Sequence, residues 1–239
     1  MTLNNGIRIT WLGHSTFRID HDGHVIVIDP FLTPNPVCPD EHKTLDQLNT
    51  LLITHGHTDH FSDAVALCLA HQPTVVCIYE IYQYLESKGA QNFSPMNKGG
   101  TVDVDGLRIT MTHAFHSSTI TEDDGTMIPA GEAAGFVLEF PNGYSIYHAG
   151  DTGVFGDMRL IGDMYRPDLA MLPIGDRFTM GPREAARAIE LIGVKGQRSS
   201  PSRSKPLTEE KAAPKRIPLD GTEDAEDAER SPIRSQNRA

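Results

Sequence analysis

Residues 55–60 read His-Gly-His-Thr-Asp-His, which places three imidazoles and one carboxylate within six positions directly after an apolar run. A polar surface loop is one interpretation, although three histidines so close together are rare by composition. Alternation in an extended turn would point His55 and His57 the same way and leave Asp59 and His60 on the other side. Such a loop can supply the first ligands of two metal ions about 4 Å apart. Imidazole and carboxylate ligands without thiolate suit zinc, manganese or iron.

The hexapeptide supplies only four ligands, so a two-metal site requires further histidine or aspartate residues at the ends of later strands. His113 and His116 follow one strand-like run, and His148 and Asp151 follow another. Asp151 comes directly after a glycine, in a turn where one carboxylate is well placed to bridge two metal ions.

Short strand-like runs alternate with turn signals through the first 195 residues, and helical patterns lie between them. Turn residues predict three hairpins, at Asp22-Gly23, Asp105-Gly106 and Asn142-Gly143. The spacing of apolar residues predicts helices over 62–71, 80–89 and 182–193, the first of them capped by Ser62. Strands followed by helices, in two successive sets, favour a layered α/β or α+β sandwich.

The last part of the chain has a different composition. Residues 196–239 hold 9 basic and 8 acidic residues, five prolines and no aromatic residue. Such a segment buries too little apolar surface to offset the entropy of ordering it, so we predict a disordered tail. The folded domain is then 1–195, where 12 basic and 24 acidic residues give a net charge of −12.

Composition excludes several classes of protein. The net charge of −11 disfavours a nucleic-acid partner. No apolar run reaches the length of a membrane span, and the first residues lack the core of a signal peptide. The 3 cysteines have no CxxC spacing, which argues against a disulfide framework or a thiolate zinc site. We therefore expect a cytoplasmic globular protein.

Three segments occur in a fixed order: THGHTDH at 54–60, AFHSS at 114–118 and YHAGDT at 147–152. Together they resemble the metallo-β-lactamase fold superfamily. WLGHSTF, IDPF and LPIGDRFTMGP are similar to a branch of uncharacterised metal-dependent hydrolases related to the L-ascorbate-6-phosphate lactonases. The resemblance covers about residues 7–195 and implies an α+β fold, a four-layer αββα sandwich with metals at one edge.

The resemblance also implies roles for the histidines and aspartates. His55, His57 and His116 match the ligands of a first metal ion. Asp59 and His60 match ligands of a second ion, and Asp151 matches the bridge between the two. His116 is chosen over His113 because it holds the AFHSS position.

Other residues are expected to lie around the metals rather than bind them. Asp29 matches a buried acidic residue that supports the metal loop, with a simple turn before Pro30 as the alternative. His14 would contact substrate or serve only the turn, and His148 would be a packed or supporting histidine. The loop of Asp176 would line the mouth of the site.

The implied reaction is hydrolysis of a small ester, lactone or phosphoester by a metal-bound hydroxide, with Asp59 and Asp151 as catalytic residues. Two divalent ions are expected, zinc first, with manganese or iron as alternatives, and the partner is a small molecule. A metal-binding but catalytically impaired protein is the main alternative. A di-iron oxidoreductase and a nuclease are less favoured, the first because His57 stands where that group has a carboxylate.

The chain departs from the family pattern near its end. The superfamily places one more metal-binding histidine on a late strand, but this chain has no histidine after His148. The second metal would then keep only Asp59, His60 and Asp151, and one or more C-terminal strands would be missing. Residues 196–239 are either a diverged terminus or, as we favour, the product of a reading-frame shift near Gly196.

Overall fold

The computed structural model describes residues 6–194, which form two five-stranded sheets, a small hairpin and five helices. The strands of the first sheet follow one another along the chain: β1 (Arg8–Trp11), β2 (Phe17–His21), β3 (His24–Ile28), β4 (Thr50–Leu52) and β5 (Thr74–Val76). β1, β2 and β3 pair antiparallel, and β3, β4 and β5 pair parallel.

The second sheet comes from the later part of the chain. Its strands are β6 (Thr101–Val104), β7 (Leu107–His113), β10 (Ala134–Glu139), β11 (Ser145–His148) and β12 (Leu169–Met171). The spatial order is β12-β11-β10-β7-β6, antiparallel except for the parallel pair of β11 and β12. The hairpin of β8 (Thr119–Thr121) and β9 (Met127–Pro129) forms a separate two-stranded sheet.

Within residues 6–194, five helices lie between the strands or after them along the chain. They are α1 (Thr58–Phe61), α2 (Ala64–His71), α3 (Tyr79–Ser87), α4 (Met158–Tyr165) and α5 (Pro182–Ile192), and a 3-10 turn spans Asp40–His42. None of the helices in the described part of the chain is long and apolar enough to cross a membrane.

Two apolar clusters hold the layers together. The larger one joins both sheets to α2 and α3 through fully buried side chains such as Leu51 and Phe136. Neighbouring residues of a strand point to opposite faces, so Val137 lies in the second cluster, with Tyr147 and with Met158 and Ala188 of α4 and α5. The fold is therefore the four-layer αββα sandwich that the family resemblance implied.

The three predicted hairpins are present. β2 and β3 meet at Asp22-Gly23, β6 and β7 at Asp105-Gly106, and β10 and β11 at the turn that contains Gly143. Each turn uses positive φ, at Gly23 (78°), Gly106 (83°) and Gly143 (80°), which glycine adopts without the steric cost of a Cβ atom.

Two details of the helices differ from the sequence prediction. The helix predicted to start with Ser62 as its cap begins at Ala64 instead, because residues 58–61 form a separate short helix. Asp63 does not cap α2 through its side chain, since its carboxylate accepts hydrogen bonds from the backbone N–H groups of Leu32 and Thr33. Helix α4 was not predicted at all.

The predicted tail, 196–239, and the strands expected to be missing lie outside the described residues. Within the part that the structure describes, β12 is the last strand of the second sheet along the chain and lies at its edge.

Candidate metal centre

Five of the strands that end on one side of the sandwich, which we call the metal end, are followed by residues of the candidate site. These are β1, β3 and β4 of the first sheet and β7 and β11 of the second. At this end the two sheets are joined directly, because the backbone N–H of Ala134 donates to the carbonyl oxygen of Thr54 at 3.0 Å. Polar residues that follow these strands are thereby brought together, although they are far apart in the sequence.

His55, His57 and His116 form the first group of candidate ligands, which we call the three-histidine group. His55 Nε2 lies 3.1 Å from His57 Nδ1, and His116 Nε2 lies 3.3 Å from the same atom. Two nitrogens bound to one tetrahedral zinc ion are about 3.4 Å apart, given Zn–N bonds of about 2.1 Å. The spacing of the three nitrogens therefore fits one divalent ion.

The environment of this group favours neutral imidazoles with a free lone pair. Burial lowers the pKa of His55 well below its ordinary value, and burial together with the nearby His116 lowers the pKa of His57. Thr54 Oγ1 donates to Asp29 at 2.7 Å and therefore accepts from His55 Nδ1 at 2.9 Å. This leaves the Nε2 of His55 as the atom that can bind a metal.

Asp29 and His60 form a buried pair beneath the centre, and both side chains are fully buried. His60 Nδ1 donates to Asp29 Oδ2 at 2.8 Å, and the backbone N–H of Thr54 donates to Asp29 Oδ1 at 2.7 Å. Asp29 thus orients two histidines, His60 directly and His55 through the hydroxyl of Thr54.

The hexapeptide does not remain a loop throughout, because Asp59 and His60 lie on α1. Burial disfavours the charged form of His60, but hydrogen bonds to Asp151 and Asp29 outweigh it and raise the pKa of His60 to about 10. The hydrogen bond from His14 holds the pKa of Asp59 far below its usual range, so Asp59 is a carboxylate at neutral pH. His14, Asp59 and His60 form the second group of candidate ligands, which we call the carboxylate group.

Asp151 lies between the two groups. Its Oδ2 atom is 3.4 Å from His60 Nε2 and 3.9 Å from His116 Nε2. Gly150 makes this position possible, because it has φ of 64° and a Cβ there would collide with the carbonyl oxygen of Ala134. One carboxylate oxygen is therefore held within reach of both groups, where it could contact two ions.

Two histidines near the centre belong to neither group. His113 packs edge-on against Phe115 and Phe155, and its Nδ1 lies 3.3 Å from Lys98 Nζ. His148 is buried against Phe17, and its Nδ1 accepts a hydrogen bond from the N–H of Gly150. His148 therefore helps to shape the turn before Asp151.

Asp176 lies in an exposed turn, where its carbonyl oxygen accepts from the N–H of Thr179. The neighbouring Arg177 places its guanidinium over the ring of Phe178 at 5.3 Å. These residues belong to the loop 175–180, part of which borders the cavity described next.

A cavity of about 840 Å³ opens in front of the two groups. His57, Asp59, His116 and Asp151 line its floor, and Ser117 Oγ lies 3.3 Å from His57 Nε2. The walls are largely apolar, and they include the side chains of Trp11, Phe17, Met171, Ile174 and Phe178. Its size suits a small molecule with an apolar part.

Sequence reasoning missed Thr54, Ser117 and much of the apolar wall. Thr54 stands directly before the hexapeptide, at the end of the run that forms β4, so its position was a usable signal. Phe178 belongs to the loop of Asp176 that the sequence predicted at the mouth of the site. Trp11 carries no such signal, because exposed aromatic residues are common on ordinary surfaces.

The sequence is similar to those of known proteins. Residues 24–198 match the profile of the beta-lactamase superfamily domain. A protein named "UPF0173 metal-dependent hydrolase" from Rubrobacter xylanophilus is 54% identical over 191 residues, which cover 80% of this chain and 79% of the relative. One of the same description from Methanopyrus kandleri is 50% identical over 186 residues, 78% of this chain and 80% of the relative.

Solved structures show the same fold. Igni18, described as a novel metallo hydrolase from Ignicoccus hospitalis, is 36% identical with a TM-score of 0.68, and the match covers 78% of each chain. An isothiocyanate hydrolase from Delia radicum gut bacteria is 21% identical with a TM-score of 0.60, covering 77% of this chain and 80% of the other. At that identity the second likeness concerns the fold alone.

Proposed function

Because this chain belongs to the beta-lactamase superfamily and its relatives are named metal-dependent hydrolases, we propose that it binds two divalent ions and hydrolyses a small ester, lactone or phosphoester. The observation that carries the proposal is the position of Asp151, whose Oδ2 lies 3.4 Å from His60 and 3.9 Å from His116. A carboxylate within reach of both groups of ligands suits two neighbouring ions about 4 Å apart.

The residues fit zinc best among the candidate metals. The three-histidine group offers only nitrogen atoms at tetrahedral spacing, and the centre contains no cysteine. Manganese and iron accept the same imidazole and carboxylate ligands and are the alternatives. When bound, the ions would supply a water molecule activated near neutral pH and would polarise the bond to be cleaved.

The chain's own residues hold and orient the reactants. Asp59 borders the cavity with half of its side chain exposed and is ionised at neutral pH, so its carboxylate can accept a hydrogen bond there. Ser117 borders the cavity beside His57, where its hydroxyl can donate to an oxygen of the substrate. The apolar walls exclude water and bind the part of the substrate that does not react.

A catalytically silent metal-binding protein is the second candidate. It is favoured by the lack of any histidine after His148, which leaves the second metal without the late histidine of the superfamily. Metal content and turnover, measured on the same sample, separate the two candidates.

The test combines metal analysis with hydrolysis of a chromogenic phosphodiester, a p-nitrophenyl ester and a lactone. We expect about two ions per chain and turnover of at least one of the three substrate classes. His116→Ala should lower kcat by more than about 100-fold and reduce the metal content, because it removes a proposed ligand.

His113→Ala is the matched control, since His113 stands three residues away and packs against Phe115 and Phe155 instead. It should keep both the metal and the activity. A protein that binds two ions but turns over none of the substrates would support the silent candidate. Loss of metal in His113→Ala but not in His116→Ala would overturn the ligand assignment.

A further inference from the structure

We propose that His14 is a metal ligand, which completes the second metal position together with Asp59, His60 and the shared Asp151. The proposal rests on the proposed function in so far as both need a second ion. It differs from the sequence interpretation, which left His14 as a contact to substrate or a residue of the turn.

The first support is distance. His14 Nε2 lies 3.0 Å from Asp59 Oδ2 and 3.3 Å from His60 Nε2. The contacts within the three-histidine group are 3.1 and 3.3 Å, so the two groups have the same spacing. Both match the separation of about 3.4 Å expected for two atoms bound to one tetrahedral ion.

The second support is the direction of the lone pairs. His60 donates through Nδ1 to Asp29, so an ion bound here would displace the proton from its Nε2, and Nε2 would then present a lone pair toward His14. Asp59 presents a carboxylate oxygen to the same point. A single proton can be shared by only one pair of these atoms, whereas a divalent cation interacts favourably with all three at once.

The third support is the backbone at His14. Its φ is 52°, in the left-handed region that residues other than glycine rarely adopt. Two hydrogen bonds hold the turn that contains His14. Trp11 Nε1 donates to the carbonyl oxygen of His14 at 2.8 Å, and the N–H of Thr16 donates to the carbonyl oxygen of Gly13. Strained residues that the surroundings hold in place cluster at functional sites.

His14 also compensates for the histidine that the chain lacks. Without it the second position would have His60 and two carboxylates, whereas with it the position has two imidazoles and two carboxylates. Such a set of four protein ligands can bind a divalent ion tightly without a later strand. The ligand comes instead from the turn between β1 and β2, 46 residues before His60.

The test is metal binding by the full chain carrying His14→Asn. Asparagine tolerates the left-handed conformation, so this variant removes the imidazole with little change in backbone strain. His71→Asn is the matched control, because His71 is the last residue of α2 and lies in neither group. Zinc is removed from each protein, restored in steps, and its affinity measured by competition with a chromophoric chelator.

We expect two ions per chain in the wild type and in His71→Asn. In His14→Asn one ion should keep its affinity, while the other should bind at least about 10-fold more weakly. Two ions of unchanged affinity in His14→Asn would overturn the proposal, and so would a wild type that binds only one. His14→Gly, which also suits positive φ, should behave like His14→Asn, and circular dichroism should show that both variants are folded.

The readout is independent of turnover. If the wild type binds two ions and His14→Asn loses one, the role of His14 stands even if no ester, lactone or phosphoester is hydrolysed. If hydrolysis is found and His14→Asn retains both ions, the proposed function stands and the role of His14 fails.

Discussion

The two ends of the sandwich are connected by the same strands but differ in whether their polar residues are buried or exposed. At the metal end, Asp29, His55 and His60 are fully buried. At the other end, which we call the turn end, the hairpin turns carry exposed polar residues such as Asp22 and Asp105. Buried ionisable groups are costly unless they are paired, so their concentration at one end marks where the chain has been shaped for binding rather than for stability.

Both ends also contain residues other than glycine at positive φ, and their surroundings differ. Asp22 and Asp105 each stand before a glycine in a hairpin turn, where a short polar side chain tolerates this conformation. Asp29 has φ of 52°, and Thr16 Oγ1 donates to its carbonyl oxygen at 2.6 Å. At the turn end, positive φ is a local feature of the hairpin turns. At the metal end, positive φ at Asp29 directs its side chain toward partners elsewhere in the chain.

Removing the metal should have the largest effect on stability, because the ligands come from both sheets. An ion present at about 1,000 times its Kd stabilises the folded state by about 4 kcal/mol. Urea unfolding with buffered zinc and with a chelator measures the difference. Identical unfolding curves would show that the metal end does not bind an ion in the folded protein.

Asp29→Asn should cost about 3 kcal/mol in the metal-free protein, because it removes the fully buried charge that pairs with Nδ1 of His60 and leaves only Asp151 on the other side of the ring. Asp22→Asn makes the same chemical change at another residue with positive φ (49°), but its side chain is 87% exposed. Urea unfolding should show little change in that control. Similar losses in the two variants would remove the distinction between the ends.

Gly143→Ala should cost about 1 kcal/mol, because an L-residue is strained at the φ of 80° that Gly143 adopts in its turn. No atom lies within 4 Å of the added Cβ, so the backbone alone is affected. Gly156→Ala is the control, since its Cβ would also be free and Gly156 does not have positive φ. Metal content should be unchanged in both, and a loss of metal in Gly143→Ala would contradict the separation of the two ends.

Asp20→Asn should have the smallest effect. Burial raises the pKa of Asp20, but hydrogen bonds from Arg18 and Arg8 outweigh it and hold the pKa below its ordinary value. A lowered pKa stabilises the folded state above the unfolded value, and this stabilisation is lost as the pH falls through the folded value. Unfolding should therefore show a cost of about 0.5 kcal/mol at pH 7 that declines as the pH falls below about 4, the ordinary pKa of an aspartate. A cost that does not vary with pH would exclude the ion pair as its cause.

The metal end could be predicted from the sequence to the extent that its ligands follow strands. The hexapeptide, His116 and Asp151 each stand after a recognisable apolar run, and the hairpin turns are marked by Asp22-Gly23 and Asp105-Gly106. The period of a strand and the preference of glycine for positive φ are local properties, so they can be recognised without knowing the fold.

What could not be predicted depends on contacts between distant segments. Helix α4 contains Gly162, a residue type that disfavours helices. Gly162 packs against the backbone of Ile192 on α5 and leaves no room for a side chain, so the contact with α5 explains the glycine. Likewise, nothing in the local sequence of His14 indicates that its ring would meet His60. The partner is set by how β1 and β4 are placed in the first sheet.

The hydrogen bonds of Asp29 have a consequence for how the two ions would bind. One carboxylate faces His60 and, through Thr54, also His55, so the same negative charge supports a ligand in each group. Because the two groups share this support, we expect an ion in one group to change the affinity of the other, so that the two ions do not bind independently.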